Sequence, residues 1–223
     1  MRTNHRHAHP VALAAGLGLC ALLLGGCVDG VINGAKPGGA AGGNEDMDEP
    51  DVPGTGLTYH KPPAGGKVRL EKNPASTPTL AVLDLVVGDA PLNGFGVGMN
   101  LPLDAAKVAL AAQDGFVPGS ALPPGSAPVA ARALLPTAGP LAGVLVSGQS
   151  QKSAGAGAVP ADSSLPAGTL LYTLRLAVVP GAPTGVVFDG KALGPRFRAA
   201  LRDKPGNDVA GQADFRIGRL MNN

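Results

Sequence analysis

Histidine is scarce in this 223-residue sequence, which limits the chemistry that the chain can perform. Three of its four histidines lie within the first ten residues, and the fourth is His60. Nucleophilic catalysis at Ser, Thr or Cys usually needs a neighbouring histidine, and zinc sites need clusters of Cys and His. We therefore expect no enzymatic activity, no metal and no cofactor. The one alternative is an enzyme acting through paired carboxylates, although the acids are scattered and Glu71 is the only glutamate after residue 66.

Tryptophan is absent, and aromatic residues make up only 3% of the chain. Many sugar-binding domains stack pyranose rings on exposed Trp or Tyr, and after residue 66 the sequence offers only Tyr172, on a row expected to face the core. The phenylalanines are also expected in or near the core. This disfavours binding to crystalline polysaccharide but leaves soluble sugar, held in a groove lined by Asp and Arg, as an alternative.

An excess of charge of either sign is also lacking. The chain has 18 basic and 16 acidic side chains, and two of the basic ones, Arg2 and Arg6, lie in the first ten residues. The remainder is balanced, so nucleic acid is not a predicted partner.

Cysteine occurs twice, at Cys20 and Cys27. Residues 1–10 are basic and lack acids, residues 11–24 carry no charge, and small residues follow. This order is typical of a secretory signal peptide, and the apolar run is shorter than the roughly 20 residues of a spanning helix. Residues 1–26 are therefore predicted to be a signal peptide.

The sequence Leu24-Gly25-Gly26-Cys27 resembles the lipobox of bacterial lipoproteins. The resemblance implies a diacylglyceryl group on the thiol of Cys27, cleavage before it and acylation, such as palmitate, on the new amino terminus. The chain would then be held at a membrane through Cys27. Val28 implies the outer membrane, with the protein either periplasmic or at the surface. Because Cys20 would be removed, no disulfide is predicted.

Residues 27–66 are predicted to be a flexible tether. They are rich in Gly, Ala and Pro and contain the acidic run EDMDEPD at 45–51. Such a composition buries too little apolar surface to offset the entropy of ordering the chain. The acidic run is interpreted as a solvated spacer rather than a cation site.

Residues 67–223 are predicted to form one all-β domain, a two-sheet β-sandwich of about nine strands. Period-two alternation marks strands at 95–103 and 170–179, and Gly and Pro clusters punctuate further candidates at 67–71, 79–87, 141–147, 185–189, 196–202 and 213–220. The segment 104–115 has two interpretations. It is either a helix capped by Asp104, or a helical turn followed by a strand through Val108 and Leu110.

Four stretches resemble cohesin-like domains, which share a nine-stranded sandwich with some carbohydrate-binding modules. They are the opening strand at 80–87, the strand, Asp-led turn and strand at 96–108, the long strand at 168–178, and the closing turn and hairpin at 203–220. The resemblance implies a non-enzymatic domain for protein binding or assembly at the cell envelope, with an envelope protein as partner. The alternative is a lipoprotein that binds polysaccharide.

A basic stretch provides the candidate binding surface. Arg196, Arg198 and Arg202 alternate with Phe197, Ala199 and Leu201, which places the arginines on one side of a strand. One interpretation is an edge strand whose charges prevent pairing with other chains. The other is a docking face for an acidic protein, an anionic lipid or a glycan.

Two loops invite a ligand-binding interpretation. The sequence DKPGND at 203–208 offers oxygen ligands for calcium, but it lacks the bidentate acid that closes a calcium loop, and it is typical of a turn. The glycines at 94, 96 and 98 resemble a phosphate-binding loop, but the chain continues in period two instead of opening a helix. We therefore predict a turn and a strand.

Overall fold

The structure is a computed structural model that describes residues 55–123, 131–151 and 160–223. The predicted signal peptide, Cys27 and most of the predicted tether lie outside these residues. The described residues contain strands and one 3-10 turn, at Gln212–Asp214, but no α-helix. The strands are β1 (Leu57–His60), β2 (Val68–Lys72), β3 (Leu80–Val87), β4 (Leu92–Gly94), β5 (Gly96–Pro102), β6 (Val108–Leu110), β7 (Phe116–Pro118), β8 (Ala131–Leu134), β9 (Val144–Ser150), β10 (Ser163–Leu165), β11 (Leu170–Val178), β12 (Gly185–Asp189), β13 (Arg198–Arg202), β14 (Asp208–Ala210), β15 (Phe215–Arg216) and β16 (Arg219–Asn222).

Two large sheets form the sandwich. The β5 sheet has the order β14-β13-β5-β9-β8, and the β3 sheet has the order β15-β2-β3-β11-β6, with β7 also paired to β11. Smaller sheets are formed by β1-β16-β12 and by β10-β4. The all-β prediction is confirmed. The segments outnumber the predicted nine strands because several of them pair over only two or three residues.

Period-two alternation positions the core as the sequence predicted. In β5, Val97, Met99 and Leu101 are buried, whereas Gly96 and Gly98 lie on the opposite, half-buried face. The inward-facing rows of both large sheets belong to one apolar cluster. This burial is the main driving force for the fold, since each Å² of apolar surface removed from water contributes about 25 cal/mol.

The segment 104–115 forms the turn and strand rather than the helix. The Asp104 carboxylate accepts a hydrogen bond from the Ala106 N–H and pairs with Lys107, which closes one turn. Then β6 begins at Val108 and pairs with β11, Leu110 lying opposite Leu176. Pairing to β11, an interior strand of the sheet, outweighs the local helix propensity of this segment.

The folded domain begins earlier than predicted. Strand β1 lies inside residues 27–66, the predicted tether, but it pairs with β16 along its whole length. Its residues Leu57 and Tyr59 are buried. At the start of this ladder, Gly56 and Asn223 exchange two backbone hydrogen bonds of 2.9 Å. The boundary at residue 67 was therefore about ten residues too late, because four strand residues in a Gly- and Pro-rich context are too short for a clear alternation.

Candidate binding face

The outward face of the β5 sheet forms a shallow concavity of about 900 Å³. Its floor is built from strands β5, β9 and β13, and Arg132 of β8 lies at its margin. The backbone register fixes which residues neighbour each other across these strands, and we call this surface the outer face.

One row across the outer face carries almost no side chain. Gly98 of β5 pairs with Gly148 of β9 on one side and with Ala200 of β13 on the other. We call these three residues the bare row. Gly148 in turn pairs with Arg132 of β8, so the row ends on an arginine.

Gly98 is not required by the packing of the domain itself. A Cβ atom built on Gly98 would meet its nearest neighbour, the Ser147 carbonyl oxygen, at 3.8 Å, which is ordinary van der Waals contact. Gly148 is tighter, since the Val97 carbonyl oxygen would lie 3.1 Å from its Cβ. Glycine inside a strand weakens the strand and often marks a place where another molecule approaches the backbone closely.

The neighbouring row is partly apolar. Leu134 of β8 lies opposite Val146 of β9, which pairs with Asn100 of β5, and Asn100 pairs with Arg198 of β13. Leu134 is 48% exposed, a high value for leucine. The outer face thus combines an apolar margin, a bare centre and basic ends.

The three predicted arginines do not act as one group. Arg198 and Arg202 are exposed on the outer face, as the alternation predicted. Arg196 instead directs its guanidinium away, where its Nη2 donates to the carbonyl oxygens of Pro140 and Ala142 at 3.2 and 2.6 Å. Arg196 therefore stabilises the loop that contains Pro140 and Ala142 and precedes β9.

Arg198 and Arg202 differ in their partners. One Nη of Arg198 donates to the Pro195 and Phe197 carbonyl oxygens at 2.6 and 2.7 Å, which orients its charge without neutralising it. Arg202 pairs with Asp208, with Nε 2.9 Å from Oδ1. Asp208 begins β14, so the ion pair joins neighbouring strands.

The edge-strand interpretation of this stretch needs correction. Strand β13 pairs with β5 along its whole length, and with β14 at Leu201 and Arg202. Only the first part of β13 has a free edge among the described strands. The three-residue strand β14 follows a tight turn and is too short to show a sequence periodicity.

Arg132 and Leu134 were missed by the sequence analysis. They lie on β8, four residues long, for which no strand was predicted. The only signal was the alternation of Arg132 with two alanines, which is too brief to separate a strand from a loop. Only the pairing of β8 with β9 shows that Arg132 and Leu134 lie on the outer face.

The loop 203–208 is a turn held by its own acid. The Asp203 carboxylate accepts hydrogen bonds from the Gly206 N–H at 2.9 Å, the Asn207 N–H at 2.7 Å and the Asn207 side-chain amide at 2.9 Å. The amide of Asn207, followed by these backbone groups, lowers the pKa of Asp203. Both oxygens of the Asp203 carboxylate thus accept hydrogen bonds from groups within the turn itself. Over residues 55–123, 131–151 and 160–223, no three His, Cys, Asp or Glu side chains are grouped as a metal site would require.

Aromatic rings contribute little to any surface of the described domain. Tyr59 and Tyr172 are buried, and among the phenylalanines only Phe116 is more than marginally accessible. Within the same residues, no helix is long and apolar enough to cross a membrane.

Comparisons with known proteins give distant structural likenesses. No protein-family model matches the sequence, and no curated protein matches it. The solution structure of CaCohA2 from Clostridium acetobutylicum is similar, with 14% identity and a TM-score of 0.40 over 69% of this chain and 91% of that one. A crystal structure of a CaDoc0917–CaCohA2 complex at pH 5.5 is similar with 15% identity and a TM-score of 0.34, over 68% of this chain and 98% of that one.

Proposed function

We propose that this chain is a non-enzymatic lipoprotein of the cell envelope whose β-sandwich binds another protein through the outer face. The observation that carries the proposal is Gly98, a glycine in mid-strand where the domain itself leaves room for a side chain. The strand gains nothing from this glycine, whereas a partner that must approach the backbone gains access.

The dimensions of the outer face suit a polypeptide segment. Arg132 and Ala200 are separated by three strand spacings of about 4.8 Å, or about 14 Å in total. That span accommodates one helix, about 10–12 Å across with its side chains, or a short extended segment. Leu134 and Val146 supply the apolar contact that a protein interface usually places beside polar groups.

The alternative function, polysaccharide binding, gains no support from this surface. The outer face offers no exposed aromatic ring, and Phe95 beneath its margin is 9% exposed. The predicted signal peptide and Cys27 support delivery to the envelope, from the sequence alone.

The proposal is tested with a photo-crosslinking amino acid placed at position 134, at the exposed margin of the outer face, in the full-length protein in its native host. The control is the same group at position 191, since Lys191 is exposed and follows β12 in a different sheet. We expect a discrete protein adduct from position 134 and none of that mass from position 191. Loss of the adduct on adding Gly98→Trp, which fills the bare row, would support the site. Equal adducts from both positions, or no protein adduct from position 134, would contradict the proposal.

A further inference from the structure

The outer face is basic as well as bare. Its lining includes three arginines, Arg132, Arg198 and Arg202, and two acidic side chains, Asp203 and Asp208. Both acids already have partners, Asp203 within its own turn and Asp208 with Arg202. The positive charge of the outer face is therefore only partly compensated.

Two arginines flank the bare row without a counter-charge. The side chain of Arg132 is exposed and forms no hydrogen bond or ion pair with any residue that the structure describes. Arg198 donates to backbone carbonyl oxygens, which are neutral. A guanidinium held in this way keeps other N–H groups available for a planar acceptor such as a carboxylate.

The shape of the face distinguishes among anionic partners. The bare row forms a floor between long side chains on β8 and β13. A bilayer surface is flat on this scale and would rest on the arginine tips, leaving the row uncovered. An anionic polysaccharide would satisfy the arginines but not the exposed Leu134. A polypeptide segment offers carboxylates and apolar side chains together.

Resting on the proposed function, we infer that the partner presents an acidic polypeptide segment. Its carboxylates pair with Arg132 and Arg198, and its backbone or small side chains lie over Gly98. Apolar side chains of the same segment contact Leu134 and Val146. Charge-assisted pairs at such a margin set specificity and association rate more than total affinity.

The inference is tested by selecting displayed random peptides against the immobilised full-length protein. We expect the selected peptides to be enriched in Asp and Glu relative to the input library and to dissociate as salt is raised. Synthetic copies should bind about fivefold or more weakly to Arg132→Gln and Arg198→Gln proteins, which corresponds to about 1 kcal/mol at a charged margin. Lys191→Gln is the matched control and should leave their binding unchanged.

A Gly98→Trp variant separates the two levels of the proposal. If the selected peptides lack acidic residues, and bind the parent protein but not the Gly98→Trp protein, the acidic inference is overturned and the outer face remains the binding site. If the selected peptides bind the Gly98→Trp protein as tightly as the parent protein, the proposed site itself is overturned. Binding to anionic phospholipid vesicles that depends on Arg132 and Arg198, without any selected peptide, would overturn the inference in favour of lipid.

Discussion

The hydroxyl of Tyr172 lies 2.9 Å from the Oγ of Ser147, and this buried hydrogen bond joins the two large sheets. Tyr172 is on β11 of the β3 sheet, and Ser147 is on β9 of the β5 sheet, beneath the outer face. Ser147 Oγ also lies 3.4 Å from the Met99 carbonyl oxygen, which ties the contact to β5. The bond is thus a polar link between the two sheets inside a mainly apolar interior.

We expect Tyr172→Phe to destabilise the domain by about 1–2 kcal/mol, because Ser147 loses the shorter of its two hydrogen bonds in a buried environment. The free energy of unfolding in urea measures the effect. A double-mutant cycle with Ser147→Ala should give a coupling energy of about 1 kcal/mol. Strictly additive losses would show that the two hydroxyls do not interact.

Alkaline pH should destabilise the domain through its two tyrosines. Burial raises the pKa of both Tyr59 and Tyr172 above the usual value. Above about pH 10 the unfolded chain loses these protons while the folded chain retains them, so stability falls as the pH rises. Unfolding free energies measured between neutral pH and pH 11 should show a shallower decline for the Tyr59→Phe, Tyr172→Phe double variant. An unchanged slope would show that these tyrosines do not contribute.

Two glycines provide a matched comparison of backbone crowding. Gly98→Ala should leave stability unchanged or raise it by up to about 1 kcal/mol, because alanine loses less conformational entropy than glycine when it is fixed in a strand. Gly190→Ala should cost about 2 kcal/mol or more, because its Cβ would lie 1.7 Å from the Ile217 carbonyl oxygen. Thermal melting of both variants checks the order, and a Gly98→Ala protein that melts well below the parent would remove the basis for treating Gly98 as spare space.

A truncation series tests the start of the domain. A chain beginning at residue 55 should fold, whereas one beginning at residue 67 loses β1 and the buried side chains of Leu57 and Tyr59. We expect the shorter chain to be less stable by about 3 kcal/mol or more, since two large core side chains are deleted. Circular dichroism and urea titration of the two chains provide the comparison. Equal midpoints would return the boundary to residue 67.

Lipid attachment at Cys27 is tested by substitution. Cys27→Ser removes the thiol that would carry the diacylglyceryl group, so the protein should lack the mass of the acyl chains in an intact-mass measurement. Intact-mass measurement of the parent protein from its host is the control, and a parent with an unmodified Cys27 would contradict the anchor.

The sequence predicted those parts of the fold whose signal is local. Alternation identified the correct inward row in β5, and in β11 from Tyr172 onward, but the irregular register between Leu170 and Tyr172 leaves Leu170 40% exposed. The Asp104 turn followed by a strand was one of the two interpretations of residues 104–115. Arg198 and Arg202 were placed correctly for the same reason, since a strand puts every second residue on one side.

The remaining features depend on pairing between distant segments. Gly98, Gly148 and Arg132 form one row only because β5, β9 and β8 adopt a particular register, which short strands do not encode by themselves. Arg196 was grouped with its neighbours because nothing in the sequence indicates that the carbonyl groups near residue 140 approach it. For β1, membership in the domain comes from a partner strand more than 150 residues later in the chain.

The paired backbones of Gly56 and Asn223 determine how the domain responds to mechanical load. Any force transmitted by the residues before Thr55 enters at Gly56 and acts first on its two hydrogen bonds with Asn223. Because β1 and β16 are antiparallel from Leu57 opposite Asn222 to His60 opposite Arg219, a pull directed away from the sheet breaks these pairs one after another. The first strand should therefore detach before the β5 sheet bears strain, which would lengthen the connection to the proposed anchor at Cys27.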